Sequence, residues 1–372
     1  MLRLLISPII IGVGFYFYFF LKRAYNIFFE KEIKRKLKTI FAVISCLIAA
    51  FCFNVSGMYV VSVLHIMGIS ALFLLFDFIL KKTFSEKYKN GFIIWKKLGK
   101  SGALAIVLTF ALLVSGYFNM HNVVKTDYTV YTEKNIRGEG YKIALLADVH
   151  FGVTLDENEL EEVCLRVGKE EPDVVILCGD IIDDKTTKEG VETVFKKLGK
   201  IKSKYGVFYV YGNHDRPFSM VSSEYTENDL KTAIESNGIK ILKDEVFEIN
   251  DDFAIIGRDD KGFDNHQRKS INELSELVDE KKFILTLDHR PCEYEENGKG
   301  KTNLLLSGHT HGGQFFPVNF IDTFFKINDL NYGCVEIDSD TYAIVTSGVA
   351  GWAYPVKTSA PSEYVIINVM KK

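Results

Sequence analysis

The sequence predicts an α/β domain, two packed sheets with helices outside them, preceded by an α-helical membrane region. Three observations carry this reading. Long apolar runs crowd the first 118 residues, whereas the rest of the chain is acidic and mixed. From residue 141 onward, short apolar runs alternate with amphipathic helical stretches, the pattern of an α/β sheet. Five of those apolar runs end in carboxylate, imidazole or amide groups.

The membrane region comes first. No charge falls in 4–21, in 39–76 or in 101–118. The middle run is too long for one span of roughly 20 residues, and NVSG at 54–57 is its natural break. The predicted spans are therefore 4–21, 39–55, 57–80 and 101–118. A signal peptide fits the first run poorly, because no small-residue cleavage site follows and further spans do. Residues 1–118 carry 15 Lys and Arg against 4 Asp and Glu, concentrated at 22–38 and 81–100. Basic loops stay in the cytoplasm, which predicts a multi-pass cell-membrane protein with an extracytoplasmic back half and the lipid bilayer as a partner. Asp77 reads as a helix-end ion pair with Lys81, and His65 as a packing or hydrogen-bonding residue. The spans thus lack the polar pathway of a transporter.

The back half carries 30 Lys and Arg against 44 Asp and Glu, which excludes nucleic acid as a partner. The six cysteines form no CxxC pair, and Cys178 in VVILCGD reads as a buried free thiol. Strands are predicted at 128–132, 142–150, 173–180 and 206–215. ENELEEVCLRVGKEEP and VETVFKKLGKI are the helices between them. Later strands fall at 253–257, 283–287, 303–307, 332–337, 342–347 and 364–369. With fewer helices between them, that second half reads as paired or antiparallel strands.

The strand exits hold the chemistry. KIALLADVH ends in Asp148 and His150. VVILCGDIID ends in Asp180, with Asp183 after it. VFYVYGNHD ends in Asn213, His214 and Asp215, FILTLDHRP carries His289, and LLLSGHTH ends in His309 and His311. Each alone reads more readily as local structure: DVH as a capped turn, GDIID as a helix N-terminus, GNHD as a tight turn and His289 as a satisfied loop histidine. Together they hold five of the eight histidines, and groups at the carboxyl ends of α/β strands converge on one crevice. Carboxylate, imidazole and amide oxygen suit Mn, Fe or Zn better than Cu(I) or Ca. Two such ions can share one bridging carboxylate and clamp a phosphate oxygen.

DVH (148–150), GDIID (179–183), GNHD (212–215), His289 and GHTH (308–311), in that order, resemble the calcineurin-like metallophosphoesterase superfamily. HTHGGQ and LDHRP are most similar to its membrane-associated YkuE/YaeI-type branch. The resemblance covers about 141–311. It implies a four-layer α-β-β-α sandwich over 141–372, behind a linker and first strand at 119–140, with two divalent metal ions. It implies that Asp148, His150 and His311 hold one ion, that Asn213, His289 and His309 hold the other, and that Asp180 bridges them. His214 then faces the phosphate as acid to the leaving oxygen, oriented by Asp215, while a bridging hydroxide attacks phosphorus in line. In an extended backbone His309 and His311 point the same way, with Thr310 turned away. Lys357 stands where related chains carry arginine.

The expected function is a membrane-anchored phosphoesterase acting on a phosphoester or pyrophosphate of a lipid-linked or envelope substrate. The alternative is a non-catalytic metal- or phosphate-binding receptor. The aromatic stretch FFPVNFIDTFF (315–325) is expected to be buried as a cap on the sheet, since most aromatic clusters are core.

Overall fold

A computed structural model describes residues 2–52, 57–84, 92–216, 224–262, 268–299 and 301–372. Residues 54–56 of the expected break, Lys87, Lys89 and His266 lie outside them. The chain forms two units, Met1–Ser115 and Gly116–Lys372.

Among the described residues of the first unit, each predicted apolar run lies mostly in a helix: α1 (Leu2–Phe29), α2 (Arg35–Phe51), α3 (Met58–Thr83) and the start of α4 (Ala103–His121). Among the described residues, α3 and α4 have the length and apolarity to cross a membrane. Ile10, Val13 and Phe17 of α1 cluster with Ala49, Cys52 and Val63. Asp77 pairs with Lys100 at 3.3 Å and accepts from Trp95 Nε1 at 3.3 Å, so these partners come from a later segment of the chain. His65 Nδ1 donates to Val61 O within its own helix, at 2.8 Å.

The second unit is a mixed α/β fold with two six-stranded sheets. The first has the order β1-β12-β2-β3-β4-β5, from Val124–Thr132, Glu363–Lys371, Tyr141–Leu146, Val174–Cys178, Val207–Val210 and Ile239–Ile241. The second has the order β10-β11-β9-β8-β7-β6, from Gly333–Asp338, Thr341–Val345, Leu304–Ser307, Phe283–Leu287, Phe253–Gly257 and Glu245–Glu248. Helices α5 (Glu157–Lys169), α6 (Lys188–Leu198), α7 (Glu227–Ser236), α8 (Ile271–Ser275), α9 (Tyr294–Lys299) and α10 (Val318–Phe325) follow in chain order. Helix α5 starts where the sequence says it should. Asp156 caps the Asn158 and Glu159 amides, and Glu159 reaches back to the Asp156 amide.

Strand alternation explains the packing. Ile143 and Leu145 of β2 point into a core shared with Phe253, Leu285 and Leu306 of the other sheet. Ala144 and Leu146 point the other way, against Leu160 and Val163 of α5 and Phe195 of α6. A strand buried on both faces must be largely apolar, so β2 from Ile143 onward, β3 and β4 read as continuous apolar runs.

The second sheet differs from the expected antiparallel pairing. Strands β7, β8, β9 and β11 run parallel, and only the edge strands β6 and β10 are antiparallel. Segments 258–282 and 288–303 are long enough for crossovers although their helices α8 and α9 are short. Crossover length, not helix content, decides strand direction.

A buried ion network braces the β8 exit. Asp288 pairs with Arg258 at 3.1 Å and Arg268 at 3.0 Å, and Glu293 meets the same two arginines at 2.8 Å. Burial alone would raise the Glu293 carboxyl, but the Arg258 hydrogen bond and the Arg268 charge outweigh it and hold it at about 2. Because the folded value is depressed, this stabilisation is complete above about pH 4.5 and is lost as pH falls toward 2. The Glu293→Gln variant should be less stable at pH 7 yet lose less between pH 4.5 and 2, measured by acid titration of the near-UV dichroism. Equal acid slopes in parent and variant would refute the assignment.

Candidate metal centre

The strands stop and the site begins. β2 ends at Leu146, β3 at Cys178, β4 at Val210, β8 at Leu287 and β9 at Ser307. Asp148, His150, Asp180, His309 and His311 follow with positive φ, between 42° and 72°. A left-handed backbone costs a non-glycine residue about 1–3 kcal/mol and persists where the surroundings over-determine it. Here it turns each side chain back over the sheet ends. His309 and His311 are thus not alternate residues of an extended strand. Thr310 lies between them in a helical turn, and its Oγ1 donates to Asn331 O at 2.6 Å.

Two clusters form. Asp148, His150 and His311 bring ligand atoms within 4.8 Å of one another, and Asp180, His289 and His309 do the same. Asp180 lies between them, its Oδ2 3.2 Å from His289 Nε2 and 3.9 Å from His150 Nε2. Its Oδ1 accepts from the His214 amide at 2.7 Å, which places Asn213 at the same edge.

Two glycines make this closeness possible. A Cβ on Gly179, at φ 80°, would stand 2.5 Å from His289 Nδ1, and one on Gly308 would stand 2.5 Å from Asp148 Oδ2.

The histidine tautomers follow from their partners. His289 Nδ1 faces the Cys178 carbonyl at 2.8 Å, His311 Nδ1 the Ala350 carbonyl at 3.3 Å, and His150 Nδ1 the Asp183 carboxylate at 3.1 Å. Each partner only accepts, so each Nδ1 carries the proton and Nε2 is left to bind an ion. Among the described residues, His150 Nε2, His289 Nε2 and Asn213 Oδ1 are three of the buried side-chain atoms without a hydrogen-bond partner, and these three converge on the strand ends. Orphaned buried acceptors of this kind are costly unless something binds them, so the donor set fits divalent metal.

The charges agree. Burial raises Asp148, to about 6. Burial would raise Asp180 too, but the imidazoles of His289, His150 and His214 outweigh it and hold it well below the usual range. His289 is lowered by burial, yet Asp180 and Asp148 lift it to about 10. The carboxylates that strengthen proton binding also strengthen metal binding, so ion and proton compete for that nitrogen.

The expected partner of His214 is corrected. The carboxylate of Asp215 is fully buried and accepts from the amides of Asp180, Ile181, Ile182 and Gly212, at 2.7–3.1 Å. It clamps the β3 and β4 loops together. The group beside His214 is Asp184, with Oδ2 3.4 Å from Nδ1. Burial would lower His214, but Asp184, Asp180 and Asp183 outweigh it and raise it to about 9. Trp352 packs on the same ring, centroids 5.5 Å apart. Neither Asp184 nor Trp352 belongs to a strand-exit motif. The only sequence signal for Asp184 is a second acid in IIDD.

Asp183 orients His150, and its own amide donates to Thr186 Oγ1 at 2.9 Å. The Asp183→Asn variant should keep every ligand yet bind metal about 10–100-fold more weakly, by chelator competition. Unchanged retention would show that Asp183 is not an orienting group.

Lys357 does not face substrate. It is fully buried, and its Nζ donates to the carbonyls of Ser347, Gly348 and Ala350. Burial lowers it to about 7, opposed by Asp148 and Glu363. It ties down the loop whose Ala350 carbonyl holds His311. Cys178 is buried as expected, its carbonyl serving His289.

The aromatic stretch departs most from expectation. Phe320, Phe324 and Phe325 of α10 are 62%, 81% and 69% exposed, not packed on the sheet.

Comparison with known proteins agrees with the geometry. Residues 141–313 match the family model for calcineurin-like phosphoesterase. The chain is 31% identical over 249 residues to an uncharacterized metallophosphoesterase of Aquifex aeolicus, covering 66% of this chain and 91% of the relative. It is 28% identical to a transmembrane protein with metallophosphoesterase domain from Danio rerio, covering 72% of this chain and 62% of that protein's length. The solved dimetal phosphatase of Danio rerio superposes with TM-score 0.37 at 15% identity, over 56% of this chain and 88% of that one. With a family-length relative and two ligand clusters on the strand ends, the chain belongs to the calcineurin-like metallophosphoesterases, enzymes with a dinuclear divalent metal centre.

Proposed function

We propose that the chain is a membrane-anchored phosphohydrolase that cleaves a phosphoester or pyrophosphate bond of a lipid-linked substrate on the outer side of the membrane. The observation that carries the reaction class is Asp180, a member of one ligand cluster whose Oδ2 also lies 3.9 Å from His150 Nε2 of the other, with His214 at the same edge. Packing of helices, sheet, sheet and helices in that order supports a four-layer sandwich.

Asp148, His150 and His311 would hold one ion, Asn213, His289 and His309 the other, and Asp180 both. Bound divalent ions, manganese among them, supply Lewis acidity and a water of lowered pKa. His214 donates the proton to the leaving oxygen, held toward it by Asp184. Asp215 keeps the two loops in register so that His214 and Asp180 stay together. The basic segments 22–38 and 81–100 support a cytoplasmic side for those loops and the opposite side for the catalytic unit. α3 and α4 supply anchors of sufficient length.

The test is turnover by the full chain in detergent with Mn, on bis-p-nitrophenyl phosphate, soluble nucleotide diphosphate conjugates and headgroup-phosphate lipids. Faster turnover of the lipids is expected. Activity confined to soluble nucleotides would refute the lipid-linked substrate.

A further inference from the structure

α10 is amphipathic in the wrong sense for a helix of a water-soluble surface. Its one buried side chain is Asp322, which accepts from the Asn328 amide at 3.0 Å, from Asn328 Nδ2 at 2.9 Å and from Asn331 Nδ2. Its outward side shows Phe320, Ile321, Phe324 and Phe325, continued by Ile327. Folding in water puts apolar faces inward and polar faces outward. A helix that bonds its polar face to its own domain is built to present the other face to something apolar.

The hydrogen bonds around α10 identify the covering surface. The loop 357–360 is bonded on both sides. On one side the Lys357 amide donates to Gly116 O at 3.0 Å, and Asn119 Nδ2 donates to the carbonyls of Lys357 and Ala360 at 2.8 and 2.9 Å. Gly116 and Asn119 belong to the last turns of α4, an apolar helix of membrane-crossing length. On the other side the Thr358 amide donates to Gln314 O at 2.8 Å, and its Oγ1 accepts from the Phe316 amide at 2.9 Å, at the base of α10. One short loop therefore joins the end of α4 to the start of α10. A second chain of bonds ties α10 to the metal turn: Asp322 to Asn331, and the Asn331 carbonyl to Thr310, between His309 and His311. Gln314 also accepts from the Trp352 amide at 3.0 Å, so the half-exposed indole against His214 belongs to the same construction.

We infer that α10 lies on the surface of the phospholipid bilayer, its phenylalanines among the acyl chains, so that the mouth of the site beside Trp352 opens at the headgroup level. This rests on the reading of the chain as membrane-anchored and deepens it. The substrate phosphate then reaches His214 without leaving the interface.

The test is photocrosslinking of the full chain in vesicles of phosphatidylcholine and phosphatidylglycerol, with Phe324→p-benzoylphenylalanine. Leu277→p-benzoylphenylalanine, at a position 65% exposed, is the control. The expected result is at least about fivefold more phospholipid adduct at 324 than at 277, read by mass spectrometry. Equal yields, or a protein–protein adduct in place of the lipid, overturn the inference and assign the face to water or to a second copy. Crosslinking needs no turnover. A chain labelled by lipid at 324 but inactive on every phosphoester therefore supports the docking and sinks only the substrate reading.

Discussion

Asp180→Asn is expected to lower phosphodiester turnover about a thousandfold, the equivalent of roughly 4 kcal/mol of transition-state stabilisation. The amide keeps the shape of the side chain and one acceptor oxygen, so the His214 amide keeps its partner at Oδ1. What it loses is the charge between the two clusters, 3.2 Å from His289 Nε2 and 3.9 Å from His150 Nε2. Bound metal, counted by plasma mass spectrometry, should fall toward about one ion per chain, because an amide bridges two dications poorly. The fold should survive, since the backbone of Asp180 is held by Asp215 rather than by its own carboxylate. Full turnover with a full complement of metal in this variant would remove Asp180 from the centre.

His214→Ala should reduce kcat by about 10²–10⁴ while leaving the metal content unchanged. Its ring contributes no atom to either ligand cluster, yet it packs between Trp352 and, edge-on, His150 at centroid distances of 5.5 and 5.3 Å. The loss should depend on the leaving group. A p-nitrophenolate departs without a proton, so the defect there should be small, whereas an alkyl alcohol needs the acid and should show all of it. Asp184→Asn should reproduce part of the defect on the alkyl substrate, because it removes the carboxylate 3.4 Å from Nδ1. A uniform loss across leaving groups would make His214 a phosphate-binding group instead. Asp215→Asn should behave differently from both, by loosening the amides of Asp180, Ile181 and Gly212 and lowering stability.

Most of the metal centre is legible in the chain because β2, β3, β4, β8 and β9 are buried on both faces. Such strands are apolar over nearly all their length, so the first carboxylate, amide or imidazole groups after each one mark a loop at the carboxyl edge. The edge strands β5 (IKI) and β6 (EVFE) have no such contrast, and no sequence signal marks them. Asp183 and Asp184 illustrate the limit more sharply. Two adjacent acids look alike in IIDD, yet one faces His150 and the other His214.

By itself the sequence determines which residues sit at the strand exits, how apolar each strand is, and that the front of the chain is basic and hydrophobic. Those properties are local, set by side-chain type and period. Tertiary structure alone decides the rest: the parallel order of β7, β8, β9 and β11, the transfer of Asp215 from partner of His214 to loop clamp, and the burial of Lys357 under three carbonyls. It also decides that the phenylalanines of α10 face outward. Each of these depends on which distant backbone groups arrive beside a side chain. An aromatic run reads the same whether a sheet or a bilayer covers it, and only the inward hydrogen bonds of Asp322 show which way that helix is turned.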